Sequence, residues 1–306
     1  MTKFEIIPIE GALGAEIKCD DVRLLDEDDR KAVRQAWLDN IVLLFRGQHL
    51  TNPEFVEFGK IFGTPQIGAT TAYYKERIRE GADHRECPEV RVVSNVKDAN
   101  GKKIGVLGDG ECIWHTDASF SPIPYDASIL MAMEIPDTWG GNTGFLNMYA
   151  ALGELPGALR EKIEGRTIKC DDTRTSAGEI RSDAPPVTDV SCSPGPIHPI
   201  IRTHPETKYN ALYLGRRPLG YINGYSVAES EELLDRLFEH TEHERFSWHH
   251  AWRVGDIVIW DNRCAMHHRD PFDPNARRIM HRLQTAGTKP FYDPKGSRAE
   301  AHPRGR

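Results

Sequence analysis

Apolar positions along this chain follow two rhythms. Residues 41–45 and 257–260 form continuous apolar runs and 127–135 a mostly apolar one, short and bounded by turn signals, and they read as strands. Ala32, Val33, Ala36 and Trp37 instead recur at helical spacing behind the acidic start Asp26-Glu27-Asp28-Asp29. Thr51-Asn52-Pro53-Glu54 and Ser226-Val227-Ala228-Glu229 have the form of capping boxes. The first predicts a helix through Phe55, Phe58 and Phe62 to Gly63, the second a helix with the stripe Leu233, Leu234, Leu237 and Phe238. Further strands are expected over 4–10, 15–19, 89–96, 112–114, 143–148, 209–214, 246–252 and 277–284, and a helix broken by Pro156 over 149–163. The pattern is α+β: many strands, with a few helices on one side.

Two stretches escape both rhythms. Residues 64–110 contain charged and glycine-rich segments, and residues 165–200 are rich in Pro, Ser and Asp. Long irregular stretches in compact domains are usually lids, binding loops or disordered segments. The first is expected to line or cover a pocket, with Tyr73 and Tyr74 offering an apolar wall tipped by a hydroxyl. The second is open between a lid, an oligomer contact and a mobile segment.

Chemistry gathers at Trp114-His115-Thr116-Asp117. Side chains alternate along a strand, so His115 and Asp117 point the same way and offer an imidazole and a carboxylate to one point. Two His and one carboxylate on one face of a metal leave open positions, the arrangement of non-haem Fe(II) oxygenases. Taken alone, His-x-Asp is a weak signal in a chain with 13 His. A third ligand must come from elsewhere, and His267 and His268 follow Asp261-Asn262-Arg263 in what reads as an irregular segment. Beyond them Arg278, Met280 and Arg282 share one face of a strand, with Arg277, Ile279 and His281 on the other. Two arginines on a buried face require anions, and the planar guanidinium suits a carboxylate or sulfonate.

These stretches, together with Gly11-Ala12-Leu13-Gly14, Val42-Leu43-Leu44-Phe45-Arg46, Gly140-Gly141-Asn142-Thr143 and His204-Pro205-Glu206-Thr207, resemble the taurine dioxygenase / 2,4-dichlorophenoxyacetate dioxygenase (TauD/TfdA) family over residues 4–292. The resemblance implies a distorted double-stranded β-helix, or jelly-roll, core with flanking helices. It implies Fe(II), 2-oxoglutarate as co-substrate and O2, with hydroxylation of an aliphatic carbon and release of succinate and CO2. His115, Asp117 and His267 match the metal ligands; the spacing of eleven between distal His and co-substrate Arg selects His267 with Arg278 over His268. Thr143 would join Arg278 on the far carboxylate of 2-oxoglutarate. Arg282 matches the position that meets an anionic group of the substrate: a carboxylate, a sulfonate or an amino-acid-like acid. Glu111 stands where taurine-type enzymes carry an amide, which argues against taurine and suggests an amine or hydroxyl on the substrate. Asp117 argues against halogenation, which needs a small residue at that position.

Composition narrows the setting. With 306 residues, 39% of them hydrophobic, the chain can bury one large core and reads as a single catalytic domain over 1–306. A net charge of -7 without a long basic run excludes a nucleic-acid partner. The six cysteines show no Cys-x-x-Cys pairing, which fits a reducing cytoplasm, and no apolar run approaches a membrane span. His198 and His204, flanked by proline, are expected to be structural. The family implies homo-oligomers, dimers or tetramers. Two other readings stay open: a protein on the same fold that binds metal and 2-oxoglutarate without turnover, and a zinc hydrolase, which the two-arginine strand fits poorly.

Overall fold

In the computed structural model, residues 3–67, 87–107, 110–181, 184–297 and 302–304 are described. The chain opens with a hairpin of β1 (Phe4–Pro8) and β2 (Ala15–Cys19). Helix α1 (Glu27–Asn40) follows, its first turn held by a reciprocal cap between Asp26 and Asp29. Ile41, in the left-handed region at φ 71°, ends it and turns the chain into β3 (Val42–Phe45). Helix α2 (Asn52–Gly59) starts where Glu54 accepts a 2.8 Å hydrogen bond from the Thr51 backbone. It stops at Gly59, short of the expected Gly63, and the chain reaches Phe62 through turns.

Strands β4 (Arg91–Ser94), β5 (Val106–Leu107), β6 (Cys112–His115), β7 (Ala127–Glu134) and β8 (Thr143–Asn147) come next. Pro156 splits the next helical stretch into α3 (Met148–Gly153) and α4 (Gly157–Ile163). Residues 165–200 are more regular than their composition suggests: β9 (Thr167–Lys169) pairs with β10 (Ile197–Pro199). Strands β11 (Ile201–Thr203), β12 (Asn210–Leu212) and β13 (Tyr221–Ile222) lead to α5 (Val227–Thr241), capped by Ser226 and Glu229. The chain closes with β14 (Ser247–His250), β15 (Ile257–Asp261), β16 (Ala265–Arg269) and β17 (Ile279–Gln284).

Two sheets organise these strands. The larger has the order β1-β2-β3-β15-β7-β17-β4-β5, the smaller β14-β8-β16-β6. Alternation assigns the two faces of the larger sheet to different cores. Leu43, Phe45, Ile129, Met131, Ile257 and Ile259 pack against Val33, Trp37, Phe55 and Phe58 of α1 and α2. The alternate residues Val42, Leu44, Leu130, Val258, Trp260 and Met280 share a core with Phe145 and Leu146 of the smaller sheet. The central strands are covered on both faces, which explains their largely apolar runs.

The C-terminal residues return to this frame. His302 stacks on Tyr149 at 4.3 Å and bonds to the Leu38 carbonyl, while Arg304 donates to Gly14 O and Asn40 Oδ1. Asn147, at the end of β8, donates to the Arg304 carbonyl.

Candidate metal centre and co-substrate pocket

Strand β16 is the first correction to the sequence reading. Residues 265–269 are not irregular: they form a strand between β8 and β6, with His267 opposite both Phe145 and His115. Alternation therefore does decide between the two neighbouring histidines. His267 faces inward, beside Trp260 and His115, with ring centroids at 4.6 and 4.2 Å. His268 faces outward and packs on Trp114 at 4.1 Å.

His115 ends β6, and Asp117 lies in the turn that follows, where Ala118 at φ 54° reverses the chain. His115 Nε2 lies 3.7 Å from Asp117 Oδ1, and His267 Nε2 lies 3.9 Å from Asp117 Oδ2. Both separations exceed a hydrogen bond, yet the three donor atoms all lie within 4.8 Å of one another and all three residues are buried. The Ile113 carbonyl, 2.7 Å from His115 Nδ1, can only accept, so Nδ1 carries a proton and Nε2 is the ring nitrogen turned toward Asp117. Burial, reinforced by His115, holds the His267 imidazole well below its ordinary pKa, so it is neutral. Burial alone would raise the Asp117 carboxyl, but Arg282, His267 and His115 outweigh it and hold the group well below the usual carboxylate range. Two imidazoles and one ionised carboxylate, converging at separations longer than a hydrogen bond, fit a divalent cation.

The carboxylate is also held from behind. Ser128 Oγ (2.7 Å) and Gln284 Nε2 (3.1 Å) both donate to Asp117 Oδ2, and Asn262 Nδ2 donates to Ser128 Oγ at 2.9 Å. Sequence reasoning missed this support. One signal was Ser128, a lone hydroxyl in the apolar stretch 127–135.

Around the cluster runs a cavity lined by Val93, Leu130, Thr143, Trp260, Arg278 and Arg282, with Cys112, Ser176 and Arg269 completing the wall. Thr143 Oγ1 accepts a 3.0 Å hydrogen bond from Trp252 Nε1, which leaves its own proton to donate into the cavity. Arg278 is buried, and among the described residues no carboxylate forms an ion pair with it. Burial, with help from Arg269, pushes its guanidinium down to about 9. The Gly140-Gly141 turn lets backbone come against this side chain: both glycines have positive φ, and Gly141 O accepts from Arg278 Nη2 at 3.4 Å. Arg282, on β17, lines the same cavity as Arg278, with Nη1 3.6 Å from Asp117 Oδ1.

A profile described as "Taurine catabolism dioxygenase TauD, TfdA family" matches residues 5–284. The chain belongs to this family. It is 33% identical to pentalenolactone F synthase of Streptomyces arenae, across 97% of this chain and 99% of that protein. It is 31% identical to the alpha-ketoglutarate-dependent 2,4-dichlorophenoxyacetate dioxygenase of a Burkholderia species, across 95% of this chain and 92% of that one. Among solved structures, AAD-2 in complex with Mn(II) and N-oxalylglycine superposes with a TM-score of 0.74 at 27% identity, covering 95% of this chain and 100% of that chain. This TauD/TfdA protein is thus a 2-oxoglutarate-dependent dioxygenase, an oxidoreductase that binds a metal.

Not every expected residue joins the site of the TauD/TfdA enzyme. Glu111 is exposed and does not line the cavity; its charge instead acts on Glu242, whose carboxyl is raised by burial and then by Glu111. Tyr73 and Tyr74 lie outside the described residues, as do 68–86 and 108–109 of the expected 64–110 lid. A second group of donors, His204, Asp261 and Cys264, also lies close together. Asp261 is already engaged by Arg263 at 2.7 and 2.8 Å and by His204 at 3.1 Å, and burial pushes the Cys264 thiol well above its usual range. These residues brace the core, as expected for His204. His198 does likewise, through Ser119 O at 2.9 Å.

Proposed function

We propose that His115, Asp117 and His267 hold one ferrous ion, that Thr143 and Arg278 hold the distal carboxylate of 2-oxoglutarate, and that Arg282 meets an anionic group on the substrate. The observation that carries this reading is the convergence of the three ligands at one end of a cavity whose wall carries Arg278, Thr143 and Arg282. Iron supplies the activation of O2, coupled to conversion of 2-oxoglutarate to succinate and CO2, and an aliphatic carbon of the substrate is hydroxylated.

The protein's part is placement. Arg278 lies buried with no ion pair among the described residues, so a carboxylate entering there gains a charge-assisted partner at little reorganisation cost. Arg282 stands against Asp117, so an anion paired with it brings the adjoining carbon next to the metal ligands. Trp260, Leu130 and Val93 give the cavity an apolar side that excludes water. Ser176, reaching in from residues 165–200, supports reading that segment as a wall of the pocket; its carbonyl also accepts a 3.1 Å hydrogen bond from Ile113 N.

The substrate class is a small carboxylate or sulfonate. Two relatives are named for phenoxypropionate and 2,4-dichlorophenoxyacetate, both carboxylates, which supports a carboxylate first. We assign the double-stranded β-helix to the two sheets, on the support of their shared core. A reducing cytoplasm fits six cysteines without Cys-x-x-Cys spacing, and no described helix is long and apolar enough to cross a membrane.

The test is succinate release from 2-oxoglutarate with a panel of carboxylates, sulfonates and amino acids, in the presence of Fe(II). Release that depends on substrate and disappears in Asp117→Ala is expected. Turnover unchanged in that variant would reject the metal assignment. Tight binding of metal and 2-oxoglutarate without O2 uptake on any substrate would favour a sensor.

A further inference from the structure

Strand β6, which carries His115, is the outer strand of the smaller sheet, with β16 on one side only. An edge strand leaves a row of backbone groups to satisfy. Two segments far apart in the chain take that row. Ile113 N donates to Ser176 O at 3.1 Å, and Thr116 N donates to Gly215 O at 3.0 Å. His115 itself pairs with Arg216 in an antiparallel bridge. These bonds bear on both ligands. Ile113, held through its N–H, offers the carbonyl that accepts from the His115 ring at 2.7 Å. Thr116, held likewise, lies between His115 and Asp117 in the chain.

One side chain ties the two segments together. Arg216 is buried; its Nη1 donates to Arg174 O at 2.6 Å and its Nη2 to Asp171 O at 2.7 Å, with the Asp171 carboxylate 3.8 Å away. Those carbonyls belong to the hairpin at 171–181, closed by Thr175 N to Glu179 O at 2.8 Å and Arg181 N to Thr173 O at 2.9 Å, and this hairpin carries Ser176. A planar guanidinium spans two carbonyls at once and holds their separation. Arg216 does not line the cavity, so whatever it does for the ligands passes through backbone.

We propose that Arg216 is a positioning residue of the metal centre: it locks the 171–181 hairpin to the 215–216 segment, and through Ser176 O and Gly215 O the pair holds β6 where His115 and Asp117 meet one cation. The inference rests on the metal assignment above and deepens it. Thr143 and Arg278, read as holding 2-oxoglutarate, stand at β8 and β17, away from this edge, so loss of Arg216 should touch the metal and spare the co-substrate clamp.

The experiment is calorimetric titration of the metal-free protein with Mn(II), then of the Mn(II)-saturated protein with N-oxalylglycine, beside amide hydrogen exchange across residues 112–117. Arg216→Met is expected to lower Mn(II) affinity about ten-fold, as loss of an outer support does, and to speed exchange at Ile113 and Thr116. N-oxalylglycine affinity at saturating Mn(II) should stay within about three-fold of wild type. Arg216→Lys keeps the charge but not the fork, and should lose about three-fold in Mn(II) affinity. Mn(II) affinity within about two-fold of wild type in Arg216→Met would overturn the inference. So would an equal loss for N-oxalylglycine, because general loosening of the fold weakens both. If Arg216→Met does not fold, the Lys variant decides: exchange and Mn(II) affinity equal to wild type overturn it. Failure of the wild-type protein to bind Mn(II) at a site lost in Asp117→Ala would instead reject the metal assignment.

Discussion

Asp117 must be both ionised and oriented, and different neighbours do the two jobs. Arg282 and the imidazoles keep it charged against the pull of burial. Ser128 and Gln284 fix which oxygen faces the cavity by occupying Oδ2 from the far side. Removing the hydroxyl also strands Asn262 Nδ2, which donates to it. Ser128→Ala is therefore expected to weaken Mn(II) or Fe(II) binding about ten- to a hundred-fold, the usual effect of losing a partner behind a metal ligand. Calorimetric metal titration measures this, and unchanged affinity would show that Gln284 orients the carboxylate alone. At this scale the sequence was legible where a motif was local. His115 and Asp117 announce themselves within three positions. Ser128 and Gln284 reach Asp117, and Asn262 reaches Ser128, from three separate strands or turns, and no spacing rule connects them. Gln284 does share the inward parity of Arg282, so its direction, though not its partner, was readable.

Between elements, the close approach of β8 and β16 positions Thr143, His267 and Arg269 together. Gly144 permits it: a Cβ there would lie 2.3 Å from the His268 ring and 2.9 Å from that of His249. Gly144→Ala must push the outward-facing rings aside or spread the strands. A loss of about 1–3 kcal/mol in stability is expected from such overpacking. Urea unfolding reads it, and co-substrate affinity should fall in the same variant because Thr143 is the next residue. The strand nature of β16 escaped the sequence because Ala265-Met266-His267-His268-Arg269 has no β-branched residue and no alternation of apolar and polar positions. It is a strand because β8 and β6 flank it on both sides, a tertiary cause. By contrast β3, β7 and β15 were legible, since burial on both faces leaves a largely apolar run. Their order was not: β3 pairs with β15 from more than two hundred positions away, and no local pattern carries that register.

The molecule as a whole buries many histidines in neutral form. Burial lowers His198, His204, His250 and His302, and drives His268 down to about 4. In the unfolded chain these rings titrate near their ordinary value of about 6.5. Below that pH the unfolded state binds protons that the folded state refuses, so stability is full above about 6.5 and declines as pH falls toward the folded values. Urea midpoints are expected to be flat from pH 7 to 8 and to drop steadily from pH 6.5 to 5. A flat profile through that window would mean that the rings protonate without unfolding. Raised carboxyls such as Asp126, pushed up by burial, act in the opposite direction.

The return of the tail has a practical meaning. Arg304 and His302 lash together the end of the first helix, the Gly14 turn and the far end of the strand that begins with Thr143. Residues 302–304 thus work as a buckle on the end of that strand. Clipping the chain at Glu300 should lower the melting temperature and slacken co-substrate binding together, so purification handles belong at the other terminus.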